Sequence, residues 1–294
     1  MLNFNVARAA CIVVTAVAAS ACSPAVAEGE GDGDGDAPTD VAVRFAARVN
    51  GADVDCGATY DDVGVTGSTL TVRDLRFYVS DIAVVADGVR HDVTIDDVAP
   101  FQGSGVALLD FEDGSGACAG GSAAKNDVVT GSTDAAIDGA DGGIDALEFD
   151  VGLPEEQNHL DPSTLQPPLN VTSMFWGWTA GYKFVKADLS STGQPAGLFV
   201  HIGSAVCAGD GADATCGAQN VLHVRLDGWR NDRTVVFDLG ALLADADVDA
   251  NAAGSAPGCM SEPDDADCAP IFDAFGLPFG AAPAPSSTAV FTVE

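Results

Sequence analysis

Residues 41–49 read VAVRFAARV, and this stretch introduces the pattern that the rest of the chain repeats. Apolar side chains alternate with positions that include Arg44 and Arg48. Successive side chains of a β-strand point to opposite faces, so this alternation predicts a strand with one face in a hydrophobic core. The predicted core-facing residues are Val41, Val43, Phe45, Ala47 and Val49.

The same two-residue period recurs at intervals, separated by clusters of Gly, Asp and Pro, as is typical of β-sandwiches. Residues 239–246 are the one stretch that predicts a helix, and it is short. We therefore predict a mostly β protein, with a single antiparallel β-sandwich-like domain, long disulfide-clipped loops and little helix. The further predicted strands lie within residues 74–79, 147–151, 198–202, 222–226 and 289–293.

The N-terminal sequence predicts export. Residues 1–22 combine one positive charge with an apolar run too short to cross a bilayer, which is typical of a signal peptide. They end in Ala-Ser-Ala-Cys, which resembles a lipoprotein processing site with Cys22 as the lipid-bearing N-terminus; cleavage after a nearby small residue is the alternative. We expect a periplasmic protein or a lipoprotein of the outer membrane or cell surface, in contact with the membrane only through a lipid anchor.

The sequence after the signal divides into a tether and a domain. Residues 23–40 include a run in which carboxylates alternate with glycines. Such a run repels itself and offers nothing to bury, so it predicts an extended, solvated linker. Residues 41–294 form the predicted domain, because no change in composition divides them.

Six cysteines follow the predicted signal, an even number that indicates three disulfides in an exported chain. Two pairs lie close in sequence and are flanked by Gly, Asp and Pro, which favours loop-clipping disulfides within each pair; the remaining two would pair by elimination. No C-x-x-C-H motif occurs, so no haem is expected in this chain. The favoured pairs are Cys207–Cys216, Cys259–Cys268 and Cys56–Cys118, although the count alone leaves other pairings open.

Charge restricts the partners of this chain. The 44 Asp and Glu residues outnumber the 12 Lys and Arg residues, and the formal net charge is −32 at pH 7. A protein this acidic repels phosphate backbones, which argues against nucleic acid as a partner. The charge favours a metal ion or a basic protein surface instead, or reflects a salty environment.

Residues 174–184, MFWGWTAGYKF, are the most unusual stretch of the sequence. Trp176 and Trp178 are two of the three tryptophans in the chain. If the stretch is a strand, Met174 shares one face with both indoles, and Gly177 leaves the opposite face open. Aromatic pairs on strands commonly fill cores, and that is the alternative to a functional role.

The four histidines are the imidazoles on which a metal site could draw. No two of them have H-x-H or H-x-x-x-H spacing, so a site would have to combine distant parts of the chain. A lone histidine is more often a surface or hydrogen-bonded residue than a ligand. No G-x-S-x-G or H-E-x-x-H motif occurs, and we predict no enzymatic activity. The histidines are His91, His159, His201 and His223.

Several segments, which together cover most of the chain after residue 40, resemble one family. This family is the MbnP-like proteins, also described as metallo-mystery-pair four-Cys proteins. The W-x-W element and the GYKF sequence that follows it are the most specific piece. The matching segments are LRFYVS at 75–80, VALLDF at 106–111, GLP at 152–154, NHLDP at 158–162, the stretch 174–184, HIGS at 201–204 and PGCMS at 257–261.

The resemblance implies an exported copper-binding protein whose partner is a di-haem cytochrome related to MauG and bacterial cytochrome c peroxidases. In this family the partner is thought to oxidise a tryptophan to kynurenine, which turns an apolar side chain into a nitrogen donor. Cu(I) accepts few ligands, of soft or imidazole type, so one such residue with two histidines and a thioether would suffice.

Carried onto this sequence, the resemblance implies Trp176 or Trp178 as the modified residue and His159 and His201 as the Cu(I) ligands. Met174 is a fourth candidate ligand. The remaining two histidines lie outside the matching segments and are expected at the surface. Two other functions remain open: a disulfide-stabilised surface interaction module without metal, in which the W-x-W pair only fills the core, and a hydrolase, which ranks last.

Overall fold

The opening stretch lies in a long first strand, Thr39–Val49, and all five residues predicted to face the core are buried. The structure is a computed structural model that describes residues 38–134, 137, 143–285, 288 and 290–294. The predicted signal with Cys22 and the tether up to residue 37 lie outside the described residues. The first strand begins two residues before the predicted start of the domain at residue 41.

Eighteen strands and three short α-helices are present in the described part of the chain. Short 3-10 turns occupy Gly116–Cys118, Pro162–Thr164, Thr172–Met174 and Gly211–Asp213. The helices are α1 (Glu155–Asn158), α2 (Leu239–Leu243) and α3 (Cys268–Phe275). The strands are β1 (Thr39–Val49), β2 (Ala52–Asp53), β3 (Tyr60–Val63), β4 (Ser68–Ala86), β5 (Val89–Ile95), β6 (Gln102–Gly103), β7 (Val106–Asp110), β8 (Val128–Thr133), β9 (Ile144–Val151), β10 (Phe175–Gly177), β11 (Gly181–Ser191), β12 (Leu198–Gly203), β13 (Ala205–Ala208), β14 (Thr215–Ala218), β15 (Leu222–Asp227), β16 (Thr234–Asp238), β17 (Gly258–Cys259) and β18 (Phe291–Val293).

β4 is the strand on which the sheet is organised. It is 19 residues long, so different parts of it pair with β3, β5, β7, β9 and β11. β5 also pairs with β8, which pairs with β1, so the sheet curls and its two halves face each other across a common core. Most pairs are antiparallel as predicted; β1 with β16 and β12 with β17 are parallel. The mostly β, sandwich-like prediction is confirmed.

The main core is rich in phenylalanine, and Phe77 of β4 lies at its centre. Its ring centroid is 5.2 Å from that of Phe237, 5.8 Å from Phe111, 6.0 Å from Phe291 and 6.2 Å from Phe45. These rings come from strands in both halves of the sheet and from the segment after β7. The aromatic cluster therefore holds the two halves together.

The second face of β4 is buried as well, which the alternation at residues 74–79 did not suggest. Tyr78 packs in a smaller core with Met174 and Tyr182, while Asp74 and Arg76 are buried at 5% and 6% exposure. Asp74 and Arg76 alternate with apolar residues here, a pattern that is also typical of a strand with one solvent-facing side. The two charges are instead paired with each other and with Lys186 and Glu112, on the wall of a cavity of about 600 Å³.

Two helices were not predicted, and the predicted one is shorter than expected. α2 begins at Leu239 as expected but ends at Leu243, where the prediction continued to residue 246. Asp238 caps it by accepting hydrogen bonds from the amides of residues 240 and 241. α3 ends at Phe275 and is capped by Gly276, whose φ of 72° suits a glycine C-cap. No helix of the described residues has the length and apolar composition needed to cross a bilayer.

The three disulfides join the predicted pairs: two that sequence proximity favours and a third that followed by elimination. Cys56–Cys118 ties the loop before β3 to the loop after β7, over 62 residues. Cys207–Cys216 joins β13 to β14, and Cys259–Cys268 joins β17 to the start of α3. Each disulfide lowers the conformational entropy of the unfolded chain, and this stabilises the folded state relative to it.

Replacing Phe77 tests the role of the aromatic cluster. We expect Phe77→Ala to lower the free energy of unfolding by about 3–5 kcal/mol, because it leaves a cavity between the two halves of the sheet. Chemical denaturation followed by circular dichroism measures this. Val65→Ala is the control: Val65 is 62% exposed, so its loss should change stability by less than about 0.5 kcal/mol. Equal effects of the two substitutions would contradict the assignment.

Candidate metal centre

The W-x-W stretch is not the single strand that the sequence predicted. Met174 ends a 3-10 turn, β10 covers three residues, and Trp178 lies in the turn before β11. The pairing of β10 with β11 is irregular between Phe175 and Gly177. Met174, Trp176 and Trp178 therefore share no common face: Met174 is fully buried in the smaller core, whereas Trp178 is 50% exposed. The prediction of a shared face was wrong.

Trp176 is a partly buried indole that lies against β12. A Cβ at Gly203 would come within 2.6 Å of the indole Cζ3 atom, so the glycine is what allows the ring to pack there. The ring centroid is 6.4 Å from that of His201, and the Lys183 Nζ atom lies 5.9 Å from it on the ring face. Trp176 is thus placed beside one of the two predicted copper ligands.

His201 is held in one orientation by Asp188 of the neighbouring strand β11. Its Nε2 atom is 2.6 Å from Asp188 Oδ1, whereas its Nδ1 atom is buried and has no hydrogen-bond partner among the described residues. Burial acts to raise the pKa of Asp188, but hydrogen bonds from His201 and Lys186 outweigh it and lower that pKa to about 2. The ionised Asp188 accepts a hydrogen bond from Nε2–H, which leaves the lone pair of a neutral ring on Nδ1.

Behind Asp188 lies a buried chain of alternating charges. Lys186 Nζ is 2.7 Å from Asp188 Oδ2 and also pairs with Asp74. Asp74 accepts a 2.8 Å hydrogen bond from Arg76 Nε, and Arg76 also reaches Glu112 at 3.4 Å. Because each charge has a partner of opposite sign, the group can remain ionised although it is buried. This chain fixes the position of Asp188 and, through it, the orientation of His201.

His159, the second predicted ligand, follows α1 and is 3% exposed. Its Nε2 atom is 3.2 Å from Asn158 Nδ2 and 3.3 Å from Cys216 Sγ, whereas Nδ1 is buried without a well-directed hydrogen bond. Asn158 accepts a hydrogen bond from the Tyr182 amide and donates one to Ser204, which fixes the adjacent backbone. Burial lowers the pKa of His159, although the Trp178 carbonyl and Glu155 favour the protonated form.

A cavity of about 420 Å³ lies next to Trp176, and part of its wall is formed by residues that the sequence did not identify as candidate ligands. Met260 and Cys207 belong to its wall, together with Ser204 and Glu262. Met260 lies in the PGCMS segment that carries the family resemblance, so its thioether could have been considered as a ligand. The position of Asp188 against His201 had no sequence signal, because it depends on the register of β11 and β12.

The structure brings some predicted site residues together and separates others. Trp176 lies beside His201. The Trp178 carbonyl lies near His159 and favours the protonated form of its ring. No hydrogen bond or ring contact joins the two histidines in the part of the chain that the structure describes, and Met174 lies in a different core. The other two histidines, His91 and His223, are partly exposed and exposed respectively, and Nδ1 of His223 is 2.5 Å from Asp150.

Comparisons with known proteins identify the family. A sequence profile described as MbnP matches residues 38–261, about three quarters of the chain. The chain belongs to the MbnP family. Among solved structures, MbnP from Methylosinus trichosporium is similar with a TM-score of 0.76 and 28% sequence identity, over 87% of this chain and 98% of that one. A search of curated proteins finds no match. Family membership suggests a copper-related protein.

The two buried histidines of this MbnP-family protein should titrate below the usual histidine pKa. Burial lowers the pKa of His201, and Asp188 opposes that shift. We therefore expect Asp188→Asn to lower the pKa of His201 further and to leave that of His159 unchanged, as measured by NMR titration of the imidazole signals. An unchanged His201 titration would contradict the assigned pairing.

The same shifts predict how stability depends on pH. Both histidines bind a proton less readily in the folded protein than in the unfolded chain, for which the ordinary pKa is about 6.5. Lowering the pH below that value should therefore reduce the free energy of unfolding until the folded-state pKa is passed. His201→Gln should weaken this dependence below about pH 6.5, and denaturation curves recorded from that pH downward measure it.

Proposed function

We propose that this protein is an exported copper-binding protein that holds Cu(I) through histidines and an oxidised tryptophan. The proposed ligands are His201, His159 and a kynurenine formed from Trp176 or Trp178. The proposed partner is a di-haem cytochrome that carries out the oxidation. Membership of the MbnP family supports the copper-related part of this proposal.

One observation carries the copper proposal: both histidines predicted as ligands are buried, and the Nδ1 atom of His201 has no hydrogen-bond partner among the described residues. A buried nitrogen without a partner costs about 1–3 kcal/mol, which a bound metal would offset. Neutral imidazoles are ligands that suit copper, and the lowered pKa values keep both rings neutral at pH 7. Asp188 would act as the carboxylate that orients a metal-bound histidine, as is common at metal sites.

The surroundings of Trp176 favour it as the residue that is oxidised. Its indole lies beside His201 and forms part of the wall of the 420 Å³ cavity, so an aniline nitrogen formed there would lie near an available imidazole. With one O2 as the net oxidant and the di-haem partner as the catalyst, one oxygen atom is added to C2 and one to C3 as the C2–C3 bond of the indole breaks. Water then hydrolyses the N-formyl product, which releases C2 as formate and leaves the aniline amine. Trp178 is the alternative, because its half-exposed ring is easier for a partner to approach.

The overall charge fits the proposed partners. A formal net charge of −32 attracts copper ions and the basic patch of a docking cytochrome. A lipid anchor on Cys22 and the acidic tether would hold the domain at a membrane surface while leaving it accessible. We propose the periplasm or the cell surface as its location on these grounds.

A surface interaction module without metal is the second candidate. It is favoured by two large apolar side chains on the surface, Trp178 at 50% and Val206 at 64% exposure. In that case Trp176 would serve packing alone, and neither histidine would bind copper.

Single-histidine variants test the copper ligands. We expect His201→Gln and His159→Gln each to weaken Cu(I) binding by about 100-fold or more, measured by competition with a chromogenic Cu(I) chelator. His223→Gln is the matched control and should bind Cu(I) as the unaltered protein does, because His223 is exposed at the surface. Equal Cu(I) affinities for all three variants would favour the interaction module.

Peptide mass spectrometry tests the oxidation. After co-expression with a di-haem partner, the peptide spanning Trp176 and Trp178 should gain one oxygen atom and lose one carbon atom. Trp176→Phe should abolish this change, whereas Trp178→Phe should preserve it. An unchanged peptide after co-expression would contradict the proposed oxidation, and loss of the change only in Trp178→Phe would assign the alternative residue.

A further inference from the structure

A second group of potential metal ligands lies where His159 meets the β13–β14 hairpin. One nitrogen of His159 and the sulfurs of Cys207 and Cys216 all lie within 4.8 Å of one another. Histidine Nε2 is 3.3 Å from Cys216 Sγ. A metal bonded at about 2.0 Å to nitrogen and 2.3 Å to sulfur with tetrahedral angles holds these two atoms about 3.5 Å apart. This nitrogen and the Cys216 sulfur are therefore already at metal-ligand spacing, whereas the two bonded sulfurs would separate once reduced.

The sulfurs form a disulfide here, and it is the most accessible disulfide of the three. Cys207 and Cys216 are both partly exposed, whereas the other four disulfide cysteines are at most 2% exposed. The two residues face each other directly on adjacent antiparallel strands. Opening this disulfide would leave both thiols on one short hairpin, so they would stay together.

The surroundings of His159 support a ligand rather than a packing role. Asn158 Oδ1 accepts a hydrogen bond from the Tyr182 amide, so the group that meets His159 Nε2 is the Asn158 amide donor. Nε2 therefore acts as an acceptor and carries no proton, and it lies 3.3 Å from Cys216 Sγ. A metal at this nitrogen would replace the hydrogen bond from Asn158, whose amide also donates to Ser204. A cavity of about 20 Å³ lined by His159, Cys216 and Ser204 offers the volume of one small ion or water.

We propose that reduction of the Cys207–Cys216 disulfide creates a metal site in which His159 Nε2 and the two thiolates bind a d10 cation, Cu(I) or Zn(II). This site goes beyond the proposed function, because it requires neither kynurenine nor His201. Two thiolates and an imidazole are the ligands that such cations prefer. Cys207 also lines the 420 Å³ cavity, which gives an ion a route from solvent.

The step needs a dithiol reductant, either a small molecule or a thioredoxin-like protein. Its two thiols transfer two electrons and two protons to the disulfide, which becomes two cysteine thiols, and the reductant becomes a disulfide. The metal then displaces both thiol protons as it binds. Metal uptake would in this way depend on the redox state of the hairpin.

Thiol trapping tests the first half of the proposal. Mild dithiol treatment of the folded mature protein, followed by alkylation and peptide mass spectrometry, should label Cys207 and Cys216 before any other cysteine. Labelling of Cys56 or Cys259 at the same dose would overturn the claim that this disulfide is opened selectively.

Co(II) is the probe for the second half, because thiolate-bound cobalt gives a charge-transfer absorption band. The reduced protein, produced without any haem partner, should develop this band at one equivalent of Co(II), and Zn(II) or Cu(I) should displace the cobalt. The oxidised protein and Cys207→Ser/Cys216→Ser should show no band. His159→Gln should bind Co(II) about 100-fold more weakly, whereas the control His223→Gln should be unaffected.

The outcomes separate this site from the proposed function. A reduced protein without the band, or His159→Gln with unchanged Co(II) affinity, would overturn the redox-dependent site. Neither result would affect Cu(I) binding by the oxidised, kynurenine-containing protein. Conversely, absence of kynurenine would leave the cobalt result intact. Circular dichroism of each variant verifies that the sheet is retained.

Discussion

Burial of both faces of one long strand is the constraint on which this structure depends. One face of β4 carries Phe77 into the aromatic core between the two halves of the sheet. The other face carries Asp74 and Arg76, which are buried and would be costly there without partners of opposite charge. The register of β4 with β11 places Lys186 opposite Arg76, and that of β11 with β12 places Lys186 opposite His201. The charged face of β4 thus determines which charged side chains surround His201, the candidate copper ligand.

This arrangement explains how an acidic protein can keep a neutral, oriented imidazole. Lys186 bridges Asp74 and Asp188, so the negative charge of Asp188 is balanced before it meets His201. Asp188 then fixes the ring by its hydrogen bond to Nε2, while burial keeps the ring neutral. Nδ1 is left buried without a hydrogen-bond partner among the described residues, and the ring lies near that of Trp176, with 6.4 Å between the centroids. This arrangement of His201 is better suited to binding a metal than to packing in the core alone.

The sequence predicted the sheet better than it predicted the site. Alternation identified the inward face of β1, because one face of that strand packs in the core and the other does not. It identified the strand at residues 74–79 but not the burial of its second face, because buried ion pairs have the same sequence pattern as solvent-facing charges. It also failed at Met174, because a 3-10 turn and a pairing irregularity, which two-residue periodicity cannot detect, separate Met174 from the indoles.

Sequence patterns could not predict contacts between segments that lie far apart in the chain. His159 meets Cys216 across 57 residues, and His201 meets Asp188 through strand register. Family resemblance selected the same two histidines that the structure buries, but it gave no information about their partners. Asp188 and Met260 became visible as parts of the site only when the strands were placed beside one another.

The most direct test of the copper assignment is anomalous diffraction at the copper edge from crystals of the copper-loaded protein, isolated after co-expression with its partner. The account predicts a peak within about 2.0–2.1 Å of a ring nitrogen of His201, next to the side chain at position 176. A copper peak elsewhere in the molecule, with the His201 ring still hydrogen-bonded to Asp188 and to no metal, would contradict it.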